Sequence, residues 1–168
     1  PAYTLTHEVD DQGPCQLLAI GGYGESGASG APALPARGVL VGVPPEADLR
    51  VTVLDVEQVM LPGKYSLCPV ATPISNLFLE EMPEFPGVER VRDSAAYAAP
   101  GFVPAAVVEI FSTGYVRDQR IAELRFVPFQ YDAQRGQVRQ VQRIRVRLQF
   151  EGARYRSEMS DLAKSASE

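Results

Sequence analysis

Glycine and proline punctuate this sequence from end to end, 14 of each among 168 residues, and that spacing limits what the chain can fold into. Proline fixes φ and removes a backbone donor, and glycine weakens helix interiors. A chain interrupted this often makes many turns and few long helices. Between the interruptions lie short runs rich in β-branched residues, the pattern of strands. The stretch from Gly30 to Val53 shows both features. Apolar runs Val39 to Val43 and Leu49 to Val53 flank a Pro44-Pro45-Glu46-Ala47-Asp48 corner. Neither proline can donate to a ladder, so the corner sits outside it and joins two strands as a stiff turn, led in by an extended Leu34-Pro35 segment.

The rest of the chain extends this pattern. Tyr3, Leu5, His7 and Val9 alternate with Thr4, Thr6 and Glu8, a period-2 strand with an apolar face. After a turn at residues 10–14, the run Cys15 to Ile20 reads as a strand buried on both faces, and residues 21–30 as a flexible loop. Beyond Val53 the alternation slips near Leu54-Asp55, which predicts a β-bulge. Tyr65, Leu67 and Val70 suggest a brief strand. From Ala71 to Pro104 the pattern dissolves into a proline-rich segment with short strand pieces near Val88 to Val91. Strands are expected at Ala105 to Thr113 and Ile121 to Val127, with a turn at Gly114 between them. A hairpin loop follows at Asp132 to Gly136. In the last strand Ile144, Val146, Leu148 and Phe150 face one way and Arg143, Arg145, Arg147 and Gln149 the other, with Val138 and Val141 fitting only after a second slip. About eight to ten short strands at spacings of roughly 8–12 residues predict an all-β fold, an antiparallel, jelly-roll-like β-sandwich. One domain spans residues 1–156, with a polar tail at 157–168.

Little in the residue inventory supports catalysis. Gly22 to Gly27 matches G-x-G-x-x-G literally, but the following Ala-Ser-Gly-Ala-Pro cannot open the helix that would receive a pyrophosphate. His7 is the one histidine. It reads as a packed, hydrogen-bonded residue on the apolar face of its strand and gives no serine or cysteine a base. Glu80, Glu81, Glu84 and Glu89 read as a solvated loop rather than a glycosidase pair. Asp10-Asp11 and Asp132 lack the spacing of a calcium loop, and no cofactor is expected. Cys15 and Cys68 read first as buried apolar thiols, which pack as small hydrophobes. A single disulfide, implying an oxidising compartment, is the alternative. The net charge of −5 argues against nucleic acid as a partner. No apolar run approaches the ~20 residues of a membrane-spanning helix, and the start shows no charged-then-apolar leader. The strongest charge feature is the arginine stripe Arg143, Arg145 and Arg147. It is either a solvent-facing strand whose charges deter edge pairing or a docking face for an acidic partner.

Several stretches in order carry a resemblance. They are Gly30-Ala-Pro-Ala-Leu-Pro, Val39 to Val53, Tyr97-Ala-Ala-Pro-Gly-Phe-Val-Pro, Gly114 to Val138, and Ile144-Arg-Val-Arg-Leu-Gln-Phe. Together they resemble the amino-terminal propeptide of gingipain-type cysteine peptidases over roughly residues 15–152. The resemblance implies a β-sandwich prodomain of a secreted or cell-surface bacterial peptidase, non-catalytic itself. Its partner would be its own cysteine peptidase catalytic domain, which it helps fold and holds latent with a loop in the active-site cleft. In arginine-specific members a basic residue fills the specificity pocket. The proline-rich segment between Leu79 and Pro100 offers such a loop, with Arg90 and Arg92 as candidates and Arg117 and Arg120 as second choices. The alternative is a carbohydrate- or surface-binding β-sandwich.

Overall fold

A computed structural model describes residues 2–73 and 88–152. In chain order the elements are β1 (Thr4–Asp10), β2 (Gly13–Ala19), β3 (Gly24–Ser26), β4 (Leu34–Gly42), β5 (Asp48–Met60), β6 (Thr72–Pro73), β7 (Val88–Glu89), α1 (Ser94–Ala98), β8 (Val108–Val116), β9 (Gln119–Phe126), β10 (Phe129–Asp132) and β11 (Gln137–Glu151). The protein is an all-β sandwich, and α1 has five residues. One sheet runs β3-β4-β9-β8 and the other β10-β11-β5. The pairs β1-β2 and β6-β7 are separate two-stranded ribbons, and all named pairings are antiparallel.

The Pro44-Pro45 corner does more than reverse the chain. It carries the backbone from the end of β4 in one sheet to the start of β5 in the other. Ala47 N donates to Pro44 O at 3.1 Å, closing the turn. The Arg120 guanidinium donates to Ala47 O at 2.7 Å and Pro45 O at 3.3 Å. Both predicted slips are bulges in the β5–β11 ladder: Arg145 pairs with Asp55 but Val146 with Val53, leaving Leu54 extra, and a second shift falls between Val141 and Arg143. A third, unforeseen in the sequence, lies between Ile110 and Ser112. The expected strand at residues 65–70 reduces to isolated bridges, Gln16 to Leu67 and Pro32 to Pro69.

The core gathers Leu18, Ile20, Leu34, Leu67, Val127, Phe129, Tyr131 and Val138. Tyr3 packs edge-on against Phe129, with ring centroids 5.5 Å apart. Gly136, at φ +63°, ends the β10–β11 turn, where a side chain would press on Tyr65 O. Four readings need correction. Cys15 and Cys68 are buried, as expected, but they form a disulfide with a Cα–Cα distance of 4.9 Å. The hydrogen bonds Gln16 N to Ser66 O and Cys68 N to Gln16 O bring the two segments together. His7 is exposed, because the inward face of β1 changes phase and turns Glu8 and Asp10 inward while Val9 is 73% exposed. Residues 24–26 are strand β3 on the edge of β4 rather than loop. Gly114 lies inside β8, paired with Ile121, and the chain reverses instead at Arg117-Asp118. The polar tail, and the carboxylates Glu80, Glu81 and Glu84, lie outside the described residues.

Candidate functional site

The segment 88–97 crosses the acidic side of the β1–β2 hairpin as a strap, and two arginines fasten it. Arg90 places its guanidinium among Glu8, Glu25 and the carbonyl of Pro69. Its Nε donates to Glu8 Oε2 at 2.7 Å, Nη2 to Glu25 Oε1 at 2.9 Å and Nη1 to Pro69 O at 2.6 Å. Its side chain is 11% exposed. Hydrogen bonding to Glu25 pushes the guanidinium's pKa up, so its charge is secure. Arg92 Nε donates to Asp10 Oδ2 at 2.6 Å, and the Asp10 side chain is fully buried. Arg92 Nη2 donates to Ser66 Oγ at 2.9 Å, and its carbon Cζ lies 4.7 Å over the Tyr97 ring.

Backbone bonds complete the fastening. Arg92 N donates to Asp11 Oδ1, Asp11 N to Arg90 O and Asp93 N to Gly30 O. Tyr97 Oη donates to Leu67 O at 2.7 Å, and burial pushes this phenol well above its usual range. Asp93 caps α1 through Ala95 N. Gly30 sits at φ +80°, where any Cβ would come within 2.9 Å of Val91 O, so the strap can lie close only against a glycine. The strap continues from the β6–β7 pair, whose registers are Thr72 to Glu89 and Pro73 to Val88. Ser29 and Thr72 join hydroxyls beside it. The residues that flank the sequence stretch 74–87 are therefore tied to the body of the sandwich.

The four pocket-filling candidates have different surroundings. Arg90 and Arg92 are engaged inside the molecule. Arg120 holds the Pro44-Pro45 corner. Arg117 is exposed at the tip of the β8–β9 hairpin with φ +53°, a backbone region uncommon outside glycine. Among the described residues it has no hydrogen-bond or ionic partner. Tyr115 and Val116 beside it are 65% and 57% exposed.

The arginine stripe of β11 meets acidic residues of β5. Arg143 lies 3.5 Å from Glu57 and Arg145 3.6 Å from Asp55, all of them exposed. Arg147 stands opposite Thr52. The surface is therefore a mixed-charge ladder, with Arg147 as its unpaired member among the described residues.

A cleft of about 450 Å³ opens beside the β3–β4 edge, lined by Ser26, Pro32, Val103, Glu109, Phe111 and Arg125 among others. Its two charged groups are paired with each other: Arg125 donates twice to Glu109 Oε1, at 2.9 and 2.7 Å, and stacks 3.8 Å over Phe111. His7 borders a different, smaller hollow beside Cys15, so no nucleophile and base converge in the cleft. No cluster of three or more metal-ligating side chains occurs among the described residues.

A family model described as Propeptide_C25 matches residues 4–165. The chain belongs to that family. It is thus the non-catalytic propeptide of a gingipain-type peptidase precursor. The chain is 31% identical over 150 residues to Lys-gingipain of Porphyromonas gingivalis, covering 89% of this chain and 9% of that protein. Lys-gingipain W83 matches equally, at 31% over 150 residues, 89% of this chain and 8% of that one. The chain thus spans under a tenth of the relatives' length. Among solved structures, one on the zymogenic latency of gingipain K from Porphyromonas gingivalis superposes with a TM-score of 0.68 at 30% identity, covering 89% of this chain and 81% of that one. The fold also matches a complex of Porphyromonas gingivalis RgpB pro- and mature domains, with a TM-score of 0.74 at 20% identity, covering 97% and 85%.

Sequence reasoning found the arginines of the strap but not their acceptors. Glu8 and Asp10 were legible only as part of a strand and a turn. Both fall on the polar phase of a regular alternation, so no sequence signal marked them as the partners of buried arginines.

Proposed function

We propose that this propeptide holds its cognate cysteine peptidase domain latent and assists its folding, with a loop occupying the active-site cleft. The observation that carries the reading is the paired root of the 74–87 stretch. Strands β6 and β7, the Ser29–Thr72 contact and the strap tie its flanking residues to a disulfide-linked sandwich. A segment whose flanking residues are fixed loses less conformational entropy on entering a cleft than a free peptide does, which favours tight inhibition. The relative whose structure concerns zymogenic latency, 30% identical, supports the same reading. The buried Cys15–Cys68 disulfide fits a secreted or cell-surface setting.

The blocking residue belongs either to the 74–87 stretch, which lies outside the described residues, or to the hairpin tip at Arg117, the candidate arginine with a free head group. Arg143 and Arg145 could add contacts to an acidic partner surface only by exchanging their β5 partners, which leaves Arg147 the most available. The test is titration of the cognate catalytic domain with this propeptide. Slow, tight inhibition is expected, and full peptidase activity at micromolar propeptide would refute the proposal. Arg117→Ala raises the inhibition constant if the tip enters the cleft and leaves it unchanged if the 74–87 stretch does.

A further inference from the structure

We propose that Arg90 and Arg92 are positioning residues: they fasten the strap to Glu8, Glu25 and Asp10, and through it fix the attitude in which the β6–β7 pair is presented to the peptidase. The inference rests on the latency reading above and assigns to these arginines a role opposite to pocket filling.

Three features argue for a clasp rather than a general core contact. First, the acceptors come from separate parts of the chain: Glu8 and Asp10 from β1, Glu25 from β3, Pro69 O and Ser66 Oγ from the segment before β6. With Val91 42% exposed and Tyr97 only partly buried against the core, the strap is thus located mainly by directional polar bonds. Guanidinium forks are suited to this, since two donors in one plane fix orientation as well as distance. Second, the bonding is reciprocal along the strap: Asp11 accepts from Arg92 N and donates its own N–H to Arg90 O, while Gly30 O accepts from Asp93 N. The strap therefore has one register, and a shift by one residue would put Val91 against the acidic side chains. Third, the hydrophobic core cluster draws on Leu18, Ile20, Leu34, Leu67, Val127, Phe129, Tyr131 and Val138, and the strap adds to it only the partly buried Tyr97. Lifting the strap exposes Asp10 to water, so the carboxylate need not stay buried without its partner. The consequence of losing an arginine is then local opening rather than collapse.

Inhibition by this 168-residue chain and its hydrogen exchange in the free state separate the alternatives. The variants are Arg90→Ala, Arg92→Ala and Gly30→Ala, the last loosening the strap without touching an arginine. Glu25→Gln is the mild variant, removing one charged acceptor that is 37% exposed. The expected result has three parts: inhibition at least tenfold weaker for the Ala variants, exchange faster across residues 88–97, and wild-type protection in β9 to β11. Arg92→Lys should recover part of the loss. Wild-type inhibition in Arg90→Ala and Arg92→Ala overturns the inference. So does weaker inhibition with an unaltered strap, which would put an arginine in the pocket, or faster exchange across β9 to β11 in Glu25→Gln, which would make the contact a general structural one. Gly30→Ala with a loosened strap and undiminished inhibition also overturns it. If the unaltered chain itself fails to inhibit, the latency reading falls instead.

Discussion

Removing the Cys15–Cys68 disulfide, as the Cys15→Ala/Cys68→Ala double variant, should destabilise the domain by about 4 kcal/mol. The two cysteines are 53 residues apart in sequence. Closing a loop of that length in the unfolded chain removes about 14 cal/mol/K of entropy, which at 25 °C is about 4 kcal/mol. In a domain of this size each kcal/mol lowers Tm by about 2–4 °C, so a fall of about 8–16 °C is expected. The native side should change little, because Gln16 N to Ser66 O and Cys68 N to Gln16 O hold the same two segments in register without the covalent link. Both cysteines are buried, at 1% and 0% exposure, and the alanines leave two small vacancies that add to the loss rather than offset it. The assay is urea unfolding followed by circular dichroism, comparing oxidised wild type with the variant. The variant's m-value should rise as its unfolded state expands. A loss below about 1 kcal/mol with an unchanged m-value would refute the reasoning, since the unfolded loop would then be closed by something other than the disulfide.

Other outcomes follow from single contacts. Gly136→Ala should cost about 1–2 kcal/mol, since φ there is +63° and the new Cβ would sit 3.0 Å from Tyr65 O; a urea midpoint equal to wild type would contradict this. Arg120→Ala, which strips the carbonyls of Pro45 and Ala47 of their donor, should cost about 1–3 kcal/mol, whereas Arg117→Ala at the exposed tip should stay within about 0.5 kcal/mol of wild type. Thermal melts of the pair decide it, and equal losses would be inconsistent with the two environments. Stability should also fall in alkali. Burial raises the phenol pKa of Tyr65, Tyr97 and Tyr131 above the ordinary value of 10.0. The folded state therefore keeps protons that the unfolded state releases, so this stabilisation is complete below about pH 10 and is lost as pH rises beyond it. For Tyr131, 2% exposed, the slope reaches at most about 1.4 kcal/mol per pH unit. Urea midpoints independent of pH between 9 and 11 would count against it.

Local chemistry was legible wherever one residue type forces one backbone. The double proline marked a corner, Gly136 a hairpin end, and broken alternation at Leu54 and before Arg143 two bulges, because side-chain period and φ restrictions act within a few residues. The strand readings failed where local pattern was outvoted. Tyr3, Leu5, His7 and Val9 look like one apolar face. Yet the ion pairs to Arg90 and Arg92, more than 80 residues away, turn Glu8 and Asp10 inward and leave His7 and Val9 outside. The turn expected at Gly114 moved to Arg117-Asp118, because Gly114 is paired with Ile121 within the β8–β9 ladder and Arg117 takes the positive φ of the reversal. By itself the sequence determined the fold class and the family. These depend on composition, periodicity and the order of short motifs. The tertiary structure alone decided that the corner links two sheets, that Cys15 and Cys68 are joined, and that Arg90 and Arg92 point inward. Each of these turns on which distant segments share space, and pairing across 50 to 80 residues leaves no trace in local periodicity.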